Sequence, residues 1–462
     1  MKMTLKASLL GLLFPVLLNG QEIGLLRISP DSRASRSEAA LWGGIEEGGY
    51  KPTYAAAFQW SAGADADIIR HGKTTSWTGA LSFTQTMGTH MTSSMLLEPE
   101  YYPFDILEFV QGTKSRQDVS LEAGFLADLG YEWAAGLKAS AKGARIAKSR
   151  DVRHLSMGID AQVEPVLTYV MDDDMGLASS YRVRYRMETL KAAEDGGDIF
   201  LDKGMRYGTW QALGGNGAFP IQELSHGFSE RFYSPEFSAG FEIIWKRGQA
   251  GGKQGNQFKF PGSTLSTFFQ HSILADAADH VYGVSYSRMR DQLRQITEGG
   301  PQSMSDRKHR SLELQYEARF VKGVLKRTGI TLDGNYFSDL SWVGVSDRNQ
   351  RYDGTVKVHA ALSYGAFDLE TSVLGGNGLW KDPGKNGQVS DERPALPAEN
   401  WLRTMDYYLT RRIGLGGTLT GRIPGVKGLY AQLYAYWYHA LDVTLLPGDD
   451  REVATLKIGY KF

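Results

Sequence analysis

The 462-residue sequence predicts an all-β chain, a transmembrane antiparallel β-barrel of about 16 strands, with even counts of 14–18 as the range. Three observations carry this expectation. Apolar and polar residues alternate along many segments, each roughly nine to thirteen residues long, the length a tilted strand needs to cross a hydrocarbon layer. The last ten residues alternate in the same way and stop on an aromatic residue. The first twenty read as an export signal.

At the N-terminus, Lys2 and Lys6 precede an apolar run from Leu9 to Leu18, and Asn19-Gly20 follow. A charged start, a short apolar core and a small residue are the pattern of a secretory signal peptide over residues 1–20. The run is too short to span a bilayer as a helix. No cysteine lies near the cut, which excludes a lipid-anchored lipoprotein. Residues 21–52 are expected to be a periplasmic or lumenal segment, and residues 53–462 the barrel.

Successive side chains of a strand face opposite sides. Val119, Leu121, Ala123, Phe125, Ala127 and Leu129 oppose Ser120, Glu122, Gly124 and Asp128. Tyr131, Trp133, Ala135 and Leu137 oppose Glu132 and Lys138. Phe237, Ala239, Phe241, Ile243 and Trp245 oppose Ser238, Glu242 and Lys246. Leu312, Leu314, Tyr316 and Ala318 oppose Glu313, Gln315, Glu317 and Arg319. Tyr352, Val356, Val358 and Ala360 oppose Asp353, Lys357 and His359. Leu429, Ala431, Leu433, Ala435 and Trp437 oppose Tyr430, Gln432, Tyr434, Tyr436 and Tyr438. In the last segment, Ala454, Leu456, Ile458, Tyr460 and Phe462 share one face, and Tyr460 and Phe462 read as the barrel-assembly signal of a terminal strand.

In such barrels periplasmic turns are short and outer loops long. Working back from the end, residues 442–450, 376–400, 339–349, 291–308 and 87–114 are expected as outer loops. Residues 424–427, Gly365, 322–326 and 274–279 are expected as inner turns. Residues 192–233 are expected to hold one strand between two loops.

Composition agrees. Fifty-four Gly, 20 Phe, 23 Tyr and 10 Trp suit many turns and aromatic girdles. A mean hydropathy of −0.32 conceals a barrel because the two faces of each strand cancel. With no cysteine, disulfide and thiolate chemistry are excluded. A net charge of −1, or −3 once Lys2 and Lys6 leave, argues against a nucleic-acid partner.

Residues 98–191 resemble an uncharacterised family of Bacteroidota outer-membrane β-barrels. The features are Tyr102-Pro103-Phe104, Ser120-Leu121-Glu122-Ala123-Gly124, Ala144-Arg145-Ile146, Arg150-Asp151-Val152-Arg153 and Val163-Glu164-Pro165-Val166-Leu167-Thr168-Tyr169. Val152 and His154 stand where the family tends to carry prolines, and Val166 where it carries a glycine. The resemblance implies an outer-membrane barrel, often encoded near TonB-dependent transporters. It brings as expected partners outer-membrane lipid, the barrel-assembly machinery, and a TonB-dependent transporter or surface lipoprotein. Residues 21–52 are too few for such a transporter's own plug, so the chain is expected to be a pore or an accessory barrel. The alternative is a closed structural or docking barrel.

Candidate pore-lining residues are Arg182, Arg184, Arg186, Glu313, Glu317, Arg319 and Lys357. The three arginines share a face opposite Tyr181, Val183 and Tyr185. They either attract an anionic solute or form a ladder of ion pairs with carboxylates such as Asp160 and Glu164, since like charges this close need counter-ions. His154 and Ser156 lack the orienting Asn of an outer-membrane phospholipase, so no catalytic residue is assigned and no enzyme activity expected. Asp172-Asp173-Asp174 lacks calcium-loop spacing and reads as a solvated turn; no metal or cofactor is expected. The tyrosines at 430, 434, 436 and 438 either stack sugar rings or fill space by packing.

Overall fold

The computed structural model describes residues 35–130, 132–148, 153–172, 175–192, 199–202, 218–251, 257–341, 347–382 and 395–462. The expected signal peptide, Asp173-Asp174 and Asp195-Gly196-Gly197-Asp198 lie outside these residues. Among the described residues, no helix is long and apolar enough to cross a membrane.

In chain order the strands are β1 (Arg36–Gly48), β2 (Phe58–His71), β3 (Thr75–Ser94), β4 (Asp105–Gly130), β5 (Trp133–Lys148), β6 (His154–Asp172), β7 (Met175–Ala192), β8 (Ile199–Asp202), β9 (Phe219–Tyr233) and β10 (Phe237–Ala250). They continue with β11 (Gln257–Ile273), β12 (Ala278–Thr297), β13 (Gly300–Phe320), β14 (Leu325–Ser341), β15 (Asp347–Tyr364) and β16 (Phe367–Asp382). The helix α1 (Ala395–Leu409) precedes β17 (Arg412–Arg422), β18 (Leu429–Ala440) and β19 (Asp450–Lys461). Every wall strand pairs antiparallel with its neighbour, and β1 pairs with β19 to close an 18-stranded barrel. The short β8 pairs with the start of β4, and β7 pairs with β9 across it.

The alternation read in the sequence is the alternation of the wall. Leu121, Trp133, Leu314, Val358, Leu433 and Ile458 are exposed on the outer surface, where an apolar belt suits lipid. Their strand neighbours point inward. Most of the described connections sort by length. At one end, which also holds Arg36 and Lys461, turns such as 365–366 and 321–324 are short. The other end carries 49–57, 95–104, 395–411 and 441–449, and also the tight β12–β13 hairpin. These are called the turn end and the loop end.

Several expectations are corrected. The 18 wall strands stand at the top of the expected 14–18 range. The wall begins at Arg36 and not at residue 53, because Ala39, Leu41, Gly43 and Ile45 face out against β19. Residues 291–308 are not a loop: β12 and β13 run on to a hairpin at Thr297 and Gly300. The expected outer loop 87–114 is mostly strand, and its middle, residues 95–104, turns into the barrel.

Candidate functional site

An 18-stranded barrel is wider than wall side chains alone can fill. Two segments pack inside the loop end of this one.

The first is 95–104. Met95-Leu96-Leu97 and Tyr101-Tyr102-Pro103-Phe104 would cost too much apolar exposure in a solvated loop. They fold inward instead. The β3–β4 register breaks at Met91 and Ser93, and His90, Ser93 and Glu100 take positive φ, where the chain bends in. Met95, Leu96, Tyr102, Phe104 and Ile106 then form a dry cluster with Leu190, Phe219, Ile221, Phe258, Phe260, Leu293 and Met304. These wall residues are apolar on their inward side, the reverse of an ordinary lumen.

Polar anchors fix the segment around its rim. Arg307 donates to the carbonyls of Glu100 (2.9 Å), Tyr102 (3.1 Å) and Tyr101 (3.0 Å), and to the buried Asp291 carboxylate (2.6 Å). Asp291 also takes Lys246 at 2.8 Å. The Ser156 hydroxyl donates to the Met95 carbonyl at 2.7 Å, and the Leu97 amide donates to Glu188 at 2.8 Å. The Tyr101 hydroxyl donates to Glu223 at 2.6 Å, while Arg186 lies 3.8 Å over its ring. Glu108, at the root of the segment, pairs with Lys148 (2.9 Å) and Lys114 (3.2 Å), all three buried. Burial by itself raises the Glu98 carboxyl, but Arg186, Lys142 and Arg116 around it bring it down to about 2.

The second segment is α1. Its Glu399–Arg403 pair (2.7 Å) supports one turn, and the Thr404 hydroxyl donates back to the Asn400 carbonyl. One face buries Met405, Tyr407 and Tyr408 against Tyr50 and Ala440, with Trp380 stacked on Trp401 at 5.3 Å. The Asp406 carboxylate accepts the amides of Thr444, Leu445 and Leu446, tying the helix to loop 441–449. Arg351 is sandwiched between Phe337 (4.0 Å) and Tyr408 (4.3 Å). The segments meet in the middle, where the Tyr408 hydroxyl donates to Glu100 at 2.9 Å and the Ser93 hydroxyl donates to Asn400.

The sequence-derived candidates divide accordingly. Arg182, Arg184 and Arg186 face inward as an ion-pair ladder. Arg184 reaches Asp160 at 2.7 Å, Arg186 reaches Asp160 (2.7 Å) and Glu98 (2.8 Å), and Arg182 reaches Glu242 (2.9 Å) and Glu164 (3.4 Å). Arg182 and Arg186 are buried, so they hold the wall and the inner segment rather than line open water. Glu317 is buried against Arg319 (2.6 Å) and His359 (3.3 Å) near the turn end, while Arg319 stays half exposed. Glu313 and Lys357 face the lumen, half-buried. Ser156 and His154 point inward as expected, and the Ser156 hydroxyl serves as an anchor. The tyrosines at 434, 436 and 438 stack on one another, and Tyr436 lies over Gly416, where any Cβ would sit 2.1 Å from its ring. Tyr436 and Tyr438 also pack over Gly414. The residues that sequence reasoning missed are the anchors Glu98, Tyr101, Glu108, Asp291 and Arg307. Two tyrosines, a proline and a phenylalanine in a supposedly solvated loop were the available signal.

Toward the turn end the interior is polar. Ser82 bonds Ser120 (2.6 Å), Lys138 pairs with Glu122 (2.8 Å), and Lys457 pairs with Glu38 (2.8 Å).

No protein-family model and no curated protein sequence matches the chain. Among solved structures, the chain is similar to the siderophore receptor PiuA from Acinetobacter baumannii, at 8% identity and TM-score 0.44, covering 93% of this chain and 82% of that one. It is similar to the FrpB iron transporter from Neisseria meningitidis at 8% identity and TM-score 0.48, with 96% and 83% covered. It is also similar to OccK11 from Pseudomonas aeruginosa at 13% identity and TM-score 0.34, with 94% and 97% covered.

Proposed function

We propose that this protein is a Gram-negative outer-membrane barrel for solute passage, working alone or beside an uptake system, and that it is held closed at its outer end by its own chain. The observation that carries this is the inward fold of residues 95–104 across a barrel of 18 strands. A barrel that only anchors or docks has no use for a circumference this large, because about eight strands already make a wall whose side chains fill it. Here the width is kept, and the loop end is then restricted by two segments fastened through polar contacts. The turn end remains lined with hydroxyls and charges. The short turns support a turn end in the periplasm and a loop end outside.

On this reading solute moves when the segment or α1 shifts, and no bond is made or broken. The test is single-channel recording of the refolded protein beside a variant lacking residues 395–409. Larger or more frequent conductance steps in the deletion support a gated path. Silence in both, with each barrel folded by heat-modifiable migration, supports the second reading. In that reading the barrel is closed and holds a surface lipoprotein or a TonB-dependent transporter through its outer loops. The tight packing of the dry cluster is what favours it.

A further inference from the structure

The outer wall carries a cationic face. On β10 to β13, outward positions change from apolar to basic as the strands near the loop end. Tyr282, Val284, Leu265, Leu312 and Leu314 give way to Arg288, Arg290, Lys308 and Arg310, with Arg247 on β10 and Lys259 on β11 beside them. The change falls at the level of an exposed outward Trp245, the residue type that marks a membrane–water boundary. Arg288 stands directly opposite Arg310, and Arg290 directly opposite Lys308.

Like charges opposed across strands destabilise a sheet. Among the described residues the carboxylate that offsets them is Asp306: Arg290 binds it through two contacts of 3.0 and 2.7 Å, and Lys308 lies 3.8 Å away, while Arg310 sits 5.8 Å over the Tyr336 ring. Among the described residues, no carboxylate pairs with Arg247, Lys259, Arg288 or Arg310. Nor is the basic character general to this rim. On β1 and β19 the equivalent outward positions hold Glu47, Asp450 and Glu452. A one-sided cluster of guanidinium and ammonium groups without carboxylate partners, just past the apolar belt, is open to anions from outside the chain.

We propose that this face binds the phosphorylated sugar headgroup of an outer-leaflet glycolipid. Guanidinium groups give phosphate paired, directional hydrogen bonds, and the apolar belt just below them, Leu265 to Leu314, receives acyl chains. The proposal takes from the preceding section only that the loop end faces the outer leaflet. Lipid binding in detergent and conductance fail independently of each other.

The experiment measures binding of bis-phosphorylated lipid A to the refolded protein in detergent, beside dephosphorylated lipid A, phosphatidylglycerol and inorganic phosphate. The variant is Arg247→Gln, Lys259→Gln, Arg288→Gln and Arg310→Gln together, which leaves the ion pairs of Asp306 intact. A control carries Arg145→Gln and Lys191→Gln, exposed cations elsewhere on the wall. Wild type and control should bind bis-phosphorylated lipid A alike. The fourfold variant should lose roughly fivefold per cation removed, on the order of several hundredfold in all. If the fourfold variant does not fold, Arg288→Gln with Arg310→Gln should still lose more than tenfold. Equal binding by a folded variant overturns the proposal, as does equal affinity for the dephosphorylated lipid. Equal affinity for phosphatidylglycerol or inorganic phosphate overturns it too, by showing a general anion surface.

Discussion

Replacing Arg307 with Met tests whether residues 95–104 are a fastened gate. The native guanidinium makes four contacts of 2.6–3.1 Å, three with segment carbonyls and one with Asp291. Met keeps much of the length and apolar stem while removing all of them. Breaking a buried ion pair costs about 3–5 kcal/mol. Each hydrogen bond to a charged donor is worth about 1.5–3 kcal/mol before non-additivity is counted. Lys246 still neutralises Asp291 at 2.8 Å, so the low end, about 3 kcal/mol, is the working figure. At 1.4 kcal/mol per decade this shifts the docked–undocked equilibrium about a hundredfold. Two assays read it: single-channel open probability in a planar bilayer, and the rate of proteolysis within residues 95–104 in detergent. Both should rise together. A heat-modifiable Arg307→Met barrel with wild-type proteolysis and conductance would refute the anchoring argument, because then the dry cluster alone holds the segment.

Other outcomes follow from the same geometry. Arg182→Gln leaves Glu242 and Glu164 buried without their cation, so it should cost about 3–5 kcal/mol and lower the yield of folded barrel; a double variant with Glu242→Gln should recover part of that loss. Gly416→Val pushes a side chain into the Tyr436 ring and should cost about 1–3 kcal/mol, read as a lower unfolding midpoint on heated gels, whereas Gly143→Val, with open space around its Cβ, should not. Glu98, held at about 2 against an ordinary 4.5, adds stability that is fully present above 4.5 and is lost as pH falls through about 2. Pepsin should therefore cut residues 95–104 increasingly over that window, and Glu98→Gln should flatten the increase. The Phe462 amide donates to the Ser37 carbonyl at 2.9 Å across the closing seam, so deleting Phe462 should reduce heat-modifiable protein in the membrane fraction; normal levels would show that the seam closes without it.

The wall was legible because lipid imposes an apolar requirement on alternate residues, and that requirement leaves a period of two wherever a strand crosses the belt. It stopped being legible where the requirement stops. Beyond Leu265 and Leu312 the outward side chains are Arg288, Arg290, Lys308 and Arg310, so the upper parts of β12 and β13 read as loop although their ladder continues to Thr297 and Gly300. In β1 the outward set Ala39, Leu41, Gly43 and Ile45 is small and glycine-broken, which hid a strand. The arginine ladder was half legible: proximity of like charges demanded counter-ions, and Asp160 and Glu164 were within reach on the facing strand. Glu98 and Glu242 were not, because one arrives on an inward-turned loop and the other on a strand reached only after β9. Nothing local could announce that Arg307 would meet the carbonyl of Glu100 from 207 residues away.

That separation has a consequence for how the barrel is built. The inner segment is synthesised early, yet two of its fastenings, Asp291 and Arg307, come from β12 and β13, and a further neighbour, Tyr408, is 308 residues downstream of Glu100. Contacts of such long range form late, after the chain entropy between them has been surrendered. The segment is therefore fully fastened only when nearly the whole wall is in place. On the reading proposed above, sealing then reports completion, and a defect that slows β13 or α1 should show first as permeability, before it appears as a loss of protein.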